Sequence, residues 1–179
     1  VTQMTFETLG LAPALLRALA DNNYTTPTPI QADAIPLVLA GHDVLGGAQT
    51  GTGKTAAFAL PVLNRLSKLT PPAGPRKPRA LVLVPTRELA VQVADSFKTY
   101  GRHLKVNVTT LFGGVGMQPQ IEQLRRGVDV LVACPGRLID HLDRGSVKLD
   151  AIEVLILDEA DRMLDMGFLP AIKRVINRL

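Results

Sequence analysis

Two kinds of hydrophobic pattern alternate along the chain. Short, nearly continuous apolar or β-branched runs occupy 43–45, 80–84, 106–111, 128–133 and 154–157. Runs of that length predict strands buried on both faces. Between them the apolar positions recur at helical spacing. Leu89, Val93, Phe97 and Tyr100 form one such stripe, and Leu169, Ile172, Val175, Ile176 and Leu179 another. Two helical stretches precede the first strand, one marked by Leu11, Leu15, Leu16 and Leu19, the other over 28–40. A helix over 56–66 follows it. Strand and helix in alternation predict right-handed crossovers and an α/β fold, a mainly parallel sheet with helices on both faces. Four prolines within 70–79 forbid regular structure there and predict an exposed loop.

Composition narrows the class. The chain has 179 residues, 46% hydrophobic and 20% charged, enough for one domain with a core. The longest apolar runs are five residues, as at 80–84, far below the roughly 20 that a membrane helix needs. No basic-then-apolar leader opens the chain. Cys134 is the single cysteine, which precludes an internal disulfide and permits a reducing cytoplasm. The net charge of +4 is a mild excess that allows a nucleic-acid partner without requiring one. Five Phe, two Tyr and no Trp argue against a surface built mainly on base stacking. His42, His103 and His141 lack ligand spacing and read as surface or packing residues.

The sharpest local signal is Ala48-Gln49-Thr50-Gly51-Thr52-Gly53-Lys54-Thr55, between a predicted strand and an apolar helix. Glycine, lysine and threonine in that context form a phosphate-binding loop. Gly51 and Gly53 let backbone N–H groups turn inward, and the following helix adds its positive end. Lys54 would reach the β- and γ-phosphates, and the Thr55 hydroxyl would face Mg²⁺. Ala48 departs from the general pattern, which has Gly there. A phosphate loop needs a carboxylate for its metal. Asp158 and Glu159 supply it, emerging at the carboxyl end of the apolar run 154–157. Asp158 would hold Mg²⁺, directly or through water, and Glu159 would orient and deprotonate the attacking water.

Asp158-Glu159-Ala160-Asp161, continued by Arg162-Met163-Leu164-Asp165-Met166-Gly167-Phe168, resembles the signature of the DEAD-box RNA helicases. Tyr24-Thr25-Thr26-Pro27-Thr28-Pro29-Ile30-Gln31 is similar to that family's adenine-recognition motif, within a region 4–32, and Phe6 stands where the family has an isolated upstream aromatic. The family's own phosphate loop begins with Ala, as Ala48 does. Pro85-Thr86-Arg87, Gly113-Gly114 and Pro135-Gly136-Arg137 resemble its RNA-contact motifs. The resemblance spans essentially the whole chain, in family order. It implies a three-layer RecA-like P-loop domain, bacterial in type, that binds ATP and Mg²⁺ and grips RNA by its backbone. It also implies that Tyr24 packs on the adenine, with Phe6 supporting that pocket, and that Asp161 couples this domain to a second.

Gln31 admits two readings. Its amide can pair with the N6 and N7 edge of adenine. Thr28-Pro29-Ile30-Gln31 is equally a helix capping box. Two residues depart from the family pattern. Cys134 replaces the usual Thr before Pro-Gly-Arg, and Thr would cap and offer a hydroxyl better. Asn23 replaces Gly, although Asn tolerates a left-handed backbone.

The same resemblance implies features beyond this chain. The family's motor has two RecA-like domains with ATP and RNA bound across their cleft, and the second supplies arginines to the transferred phosphate. Neither that domain nor the Ser-Ala-Thr segment occurs within 1–179. The helical pattern is unfinished at Leu179, and a domain ending there would lack a central strand. The expectation is therefore a cytoplasmic RNA helicase as parent, with no membrane partner, and a nucleotide-binding fragment with little turnover of its own. A DNA translocase gives no reason for the stretch from Tyr24 to Gln31. A non-catalytic RNA clamp gives none for an intact Glu159. A GTPase needs a guanine motif that Val147-Lys148-Leu149-Asp150 does not complete.

Overall fold

The structure, a computed structural model, describes residues 5–40, 52–68 and 76–179. The predicted strand at 43–45 and most of the proline-rich stretch lie outside the described residues. The chain divides into two compact units. One comprises Val1–Thr70 with Asp95–Lys105, the other Pro71–Ala94 with Val106–Leu179.

The first unit is helical. A 3-10 turn at Phe6–Leu9 leads to α1 (Pro13–Asp21), α2 (Pro29–Leu39) and α3 (Thr52–Ser67). Proline at the first helical position starts both α1 and α2, where its missing N–H costs nothing. Helix α3 begins four residues before the predicted boundary, so Lys54 and Thr55 sit in its first turn. The buried Asn64 of α3 accepts the Ala12 N–H at 2.8 Å, which ties the start of α1 to α3. The rings of Phe58 and Phe97 meet at 6.2 Å. Phe97 belongs to α4 (Arg87–Tyr100), whose last turns count with this unit. A Cβ at Gly101 would come within 2.9 Å of the Phe97 carbonyl oxygen and 3.3 Å of Leu63, so only glycine lets the chain leave α4 here.

The second unit holds the sheet. Strands β1 (Ala80–Leu83), β2 (Val108–Leu111), β3 (Val130–Ala133) and β4 (Val154–Leu157) are all parallel, in the order β2-β3-β1-β4. The first part of α4, α5 (Met117–Arg125), α6 (Pro135–Arg144), α7 (Ala160–Asp165) and α8 (Leu169–Ile176) flank it. Leu81, Leu83, Leu111, Leu131, Leu138, Met163 and Val175 form a core between the sheet and these helices. Each full side-chain burial of this kind contributes about 1.5–3 kcal/mol.

Every residue of β1 and β3 is buried, as the continuous apolar runs require. The outer strands differ from expectation. β2 alternates half-buried and buried residues, and β4 is half-buried with Leu157 exposed. They flank the central pair in the described sheet, and fewer neighbours cover them. α8 ends at Ile176, short of the predicted stripe. α5 has no counterpart in the hydrophobic pattern, because Met117-Gln118-Pro119-Gln120-Ile121-Glu122 is polar on most sides.

One charge organises the amino ends of the strands. Asp129, just before β3, is fully buried. Its Oδ1 accepts from Arg79 Nη2 at 3.1 Å, and its Oδ2 lies 3.1 Å from Arg76 Nη2 and accepts the Asn107 N–H at 2.8 Å. Its carbonyl accepts the N–H groups of Arg79 and Ala80, and the Arg79 carbonyl accepts those of Glu153 and Val154. The predicted exposed loop is thus tied down at its end, since the Arg76 and Arg79 side chains are only 18% and 13% exposed. Breaking a buried pair strands the partner charges. Asp129→Ala is expected to cost about 3–5 kcal/mol, read as a lower guanidinium midpoint. An unchanged midpoint would show that the strand starts do not need the carboxylate.

Candidate functional site

Helix α3 carries what is described of the stretch expected from sequence to bind phosphate. Ala48, Gln49, Thr50 and Gly51 lie outside the described residues. Thr52 and Gly53 open the helix, Lys54 follows half-buried, and Thr55 is buried. The first-turn N–H groups of a helix have no intrahelical partner, so 52–55 form the end of α3 suited to an anion.

The residues expected around an adenine meet in the same unit. Phe6, Tyr24, Thr28 and Gln31 line one cavity of about 80 Å³, together with Thr26, Ala56 and Tyr100. Tyr24 is about half exposed, Phe6 is buried, and the Tyr24 and Tyr100 rings lie 6.2 Å apart at 50°. Burial, and then the neighbouring Tyr24, push the Tyr100 phenol up to about 12. It therefore stays a neutral donor at any working pH. Asn23 takes φ +60°, the left-handed region that a glycine would supply, and the Tyr24 N–H returns to the Leu19 carbonyl at 2.9 Å. Gln31 makes the capping box: its Oε1 accepts the Thr28 N–H at 2.9 Å, and its own N–H reaches Thr28 Oγ1 at 3.4 Å. The cap fixes which amide atom faces the Thr28 N–H.

In the second unit all the remaining candidates stand at the carboxyl ends of the strands. Pro85 and Thr86 follow β1, and the Thr86 hydroxyl accepts the Leu89 N–H at 3.2 Å, capping α4. Arg87 is exposed, its guanidinium carbon 4.9 Å from the centre of the Phe112 ring. Gly113 and Gly114 follow β2, both exposed, with Gly114 at φ +79°. A Cβ on Gly113 or Gly136 would meet nothing within 4 Å. Neither the packing nor a positive φ demands glycine at those two positions. Pro135, buried, opens α6 after β3, followed by exposed Gly136 and by Arg137. Its cap residue, Cys134, makes no side-chain cap bond. Burial, then the Glu88 carboxylate, push that thiol up to about 11.

Arg137 is not an outstretched surface charge. Its Nη1 donates to the Val115 carbonyl at 3.0 Å and to Gln120 Oε1 at 3.2 Å. Gln120 Nε2 donates to the Phe112 carbonyl at 2.9 Å, and Gln120 Oε1 lies 2.8 Å from His141 Nε2. Gln120 and His141 are both buried. Phe112, Gln120 and His141 were not among the sequence candidates. No short motif marks them, and only the turn of α5 brings Gln120 between the other two.

The acids follow β4. Asp158 is buried, with its N–H on the Leu83 carbonyl at 3.0 Å. Glu159, half-buried, holds φ +54°, an uncommon conformation for a residue with a side chain, and caps α7. Such strain concentrates at functional sites. Arg162 Nη1 stands 3.7 Å from Glu159 Oε2, and Asp161 is exposed.

Comparison with known proteins agrees with the motif reading. Residues 28–179 match the family described as DEAD/DEAH box helicase. The chain is 49% identical to an ATP-dependent RNA helicase DeaD of Mycobacterium tuberculosis (strain CDC 1551 / Oshkosh), over 97% of this chain and 30% of that protein. It is 47% identical to the DeaD helicase of Escherichia coli (strain K12), over 99% of this chain and 28% of that protein. It is 47% identical to the ATP-dependent RNA helicase RhlB of Pseudomonas syringae pv. tomato, over 97% of this chain and 44% of that protein. The chain thus spans less than half the length of these relatives.

Two consequences of the geometry are measurable. Cys134→Thr supplies the missing cap acceptor and is expected to raise stability by about 1 kcal/mol in chemical denaturation; a loss would mean that the hydroxyl is buried there without a donor. His141 is held below its usual value, first by burial and then by Arg137. A base whose folded pKa is depressed contributes stability that is full above its unfolded value of about 6.5 and is lost as pH falls through the folded one. Lowering pH from 7 to 5 is expected to destabilise the wild type more than His141→Gln, measured as denaturant midpoints.

Proposed function

The chain belongs to the DEAD/DEAH box helicase family, and on that premise we propose that it is the ATP-binding first motor domain of an RNA helicase that couples ATP hydrolysis to local opening of RNA duplexes. One observation carries the reading. Arg87, Gly113-Gly114, Gly136-Arg137 and the pair Asp158-Glu159 stand at the carboxyl ends of four parallel strands in one register. That edge is where open parallel sheets bind ligands.

The roles follow from residue chemistry. Lys54 and the first-turn amides of α3 bind the phosphates. Gln31 and Tyr24 receive the adenine, backed by Phe6. Thr55 and Asp158 are hard oxygen donors of the kind Mg²⁺ takes, and they would hold it; bound there, the ion would neutralise phosphate charge. Glu159 orients and deprotonates the attacking water. Exposed amides near Gly113 and Gly114 and at the start of α6, with Arg87 and Arg137, grip the sugar–phosphate backbone and ignore base identity. Selection of RNA over DNA would come from the 2′-hydroxyl.

A second RecA-like domain of the same protein would close the cleft, with Asp161 at the coupling surface, and would complete catalysis. The setting is the cytoplasm, without a membrane partner. In this reading the 179-residue chain binds nucleotide with negligible RNA-stimulated turnover.

In the full-length protein, Glu159→Gln is expected to keep ATP affinity and lower kcat by about 100-fold or more, the usual scale for a lost general base. Lys54→Ala should weaken binding of a fluorescent ATP analogue by about tenfold or more. RNA, and not DNA of the same sequence, should stimulate the wild-type ATPase. Wild-type turnover by Glu159→Gln, or equal stimulation by DNA, would overturn the assignment.

A further inference from the structure

Three stretches assigned above to the RNA backbone come from three separate loops, after β1, β2 and β3. Backbone recognition needs them held at fixed spacing, because phosphates recur at a fixed interval along the strand. The described contacts run through a single side chain. Gln120 Nε2 donates to the Phe112 carbonyl, immediately before Gly113-Gly114, and the Phe112 ring lies under the Arg87 guanidinium. Gln120 Oε1 faces Arg137 Nη1, and Arg137 Nη1 also holds the Val115 carbonyl on the far side of the two glycines. We propose that Gln120 is the positioning residue of the RNA surface, setting the Gly113-Gly114 loop, Arg137 and, through Phe112, Arg87 in one arrangement.

The chemistry of the site fixes the amide. Arginine only donates, so the atom facing Arg137 is the oxygen, and the nitrogen is left for the Phe112 carbonyl. The same oxygen faces His141 Nε2, which must therefore carry its hydrogen. Both lone pairs of Oε1 are then used. The residue is 5% exposed, so a lost bond is not replaced by bulk water. Leucine or methionine fits the volume of glutamine and makes none of these bonds. Glutamate keeps the acceptor for Arg137 and His141 but turns an oxygen on the Phe112 carbonyl.

The proposal rests on the RNA reading of these loops, and its test separates the two. The measurement is the affinity of the full-length protein for single-stranded RNA in the presence of a non-hydrolysable ATP analogue. The variants are Gln120→Met, Arg137→Ala and the double change, with thermal unfolding and affinity for the nucleotide alone as controls. Gln120→Met is expected to weaken RNA binding about tenfold, the scale of one lost hydrogen bond to a charged group, with nucleotide affinity unchanged. The loss in the double variant should fall short of the combined losses of the two single variants, because part of what Gln120 does is done through Arg137 and that part cannot be lost twice. A merely structural loss would lower the melting temperature and add to Arg137→Ala in full. Additive losses, or wild-type RNA affinity in Gln120→Met beside a defect in Arg137→Ala, overturn the positioning role and leave the RNA reading standing. Wild-type RNA affinity in both Arg137→Ala and Arg87→Ala overturns the RNA reading and the proposal with it. If Gln120→Met does not fold, Gln120→Glu carries the same comparison through its lost donation to Phe112: an affinity loss of about threefold or more supports the role, and wild-type affinity sinks it.

Discussion

A buried carboxylate sets the level at which the strands begin, and much else in the sheet-bearing unit follows from it. Asp129 gathers Arg76 and Arg79 from before β1 and the Asn107 amide from before β2, while its own backbone starts β3. Removing two arginines and an aspartate from water is costly, and the pairing offsets that only in a tight geometry. The consequence is register. With Ala80 level with Val130 and Val154, and Val108 level with Val130, four short strands end together as well as begin together. Four connections then leave at one edge, and every sequence candidate of this unit lies in one of them or in the first turn of the helix that follows.

At that edge the design changes from charge to directed hydrogen bonding. The arginine of the Pro-Gly-Arg stretch is half consumed inside the protein, through Gln120 and the Val115 carbonyl. This ordering fixes a long side chain before any ligand arrives, so less conformational entropy is lost on binding. Gly113 and Gly136 lie beside open space, while Arg87 rests on Phe112. The surface is thus small-residue backbone bounded by two pre-placed guanidinium groups. Glu159 adds the local strain of a left-handed backbone directly after Asp158. The sharp turn takes the chain from β4 into α7 and sets the two neighbouring acids in different surroundings, one buried and the other half-buried.

The helical unit solves a different problem with the same economy. Gln31 caps α2 and still faces the cavity that Phe6, Tyr24 and Tyr100 line. The capping box is a strong local constraint, so the amide is oriented by the helix itself. Asn23, by accepting φ +60°, allows the return of the chain that puts Tyr24 beside Tyr100.

Local chemistry alone made much of this legible. Threonine and proline at 28–29 mark the start of α2, and apolar runs mark β1, β3 and β4, since helix caps and short apolar strands depend on neighbours in sequence and on composition. The phosphate-loop and acid-pair candidates come from the same kind of signal, particular residue types at fixed spacing. Three things were beyond the pattern. α5 is polar on most sides, so no periodicity announced it. Arg76 and Arg79 sit in a proline-rich stretch that reads as exposed, and only Asp129, fifty residues on, buries them. Gln120 has no motif, because its importance comes from lying between Phe112, Arg137 and His141 in space. Sequence named the candidates for phosphate, metal and backbone contacts. Folding decided how firmly each is held, because a hydrogen bond between loops of different strands exists only once parallel register brings those loops together.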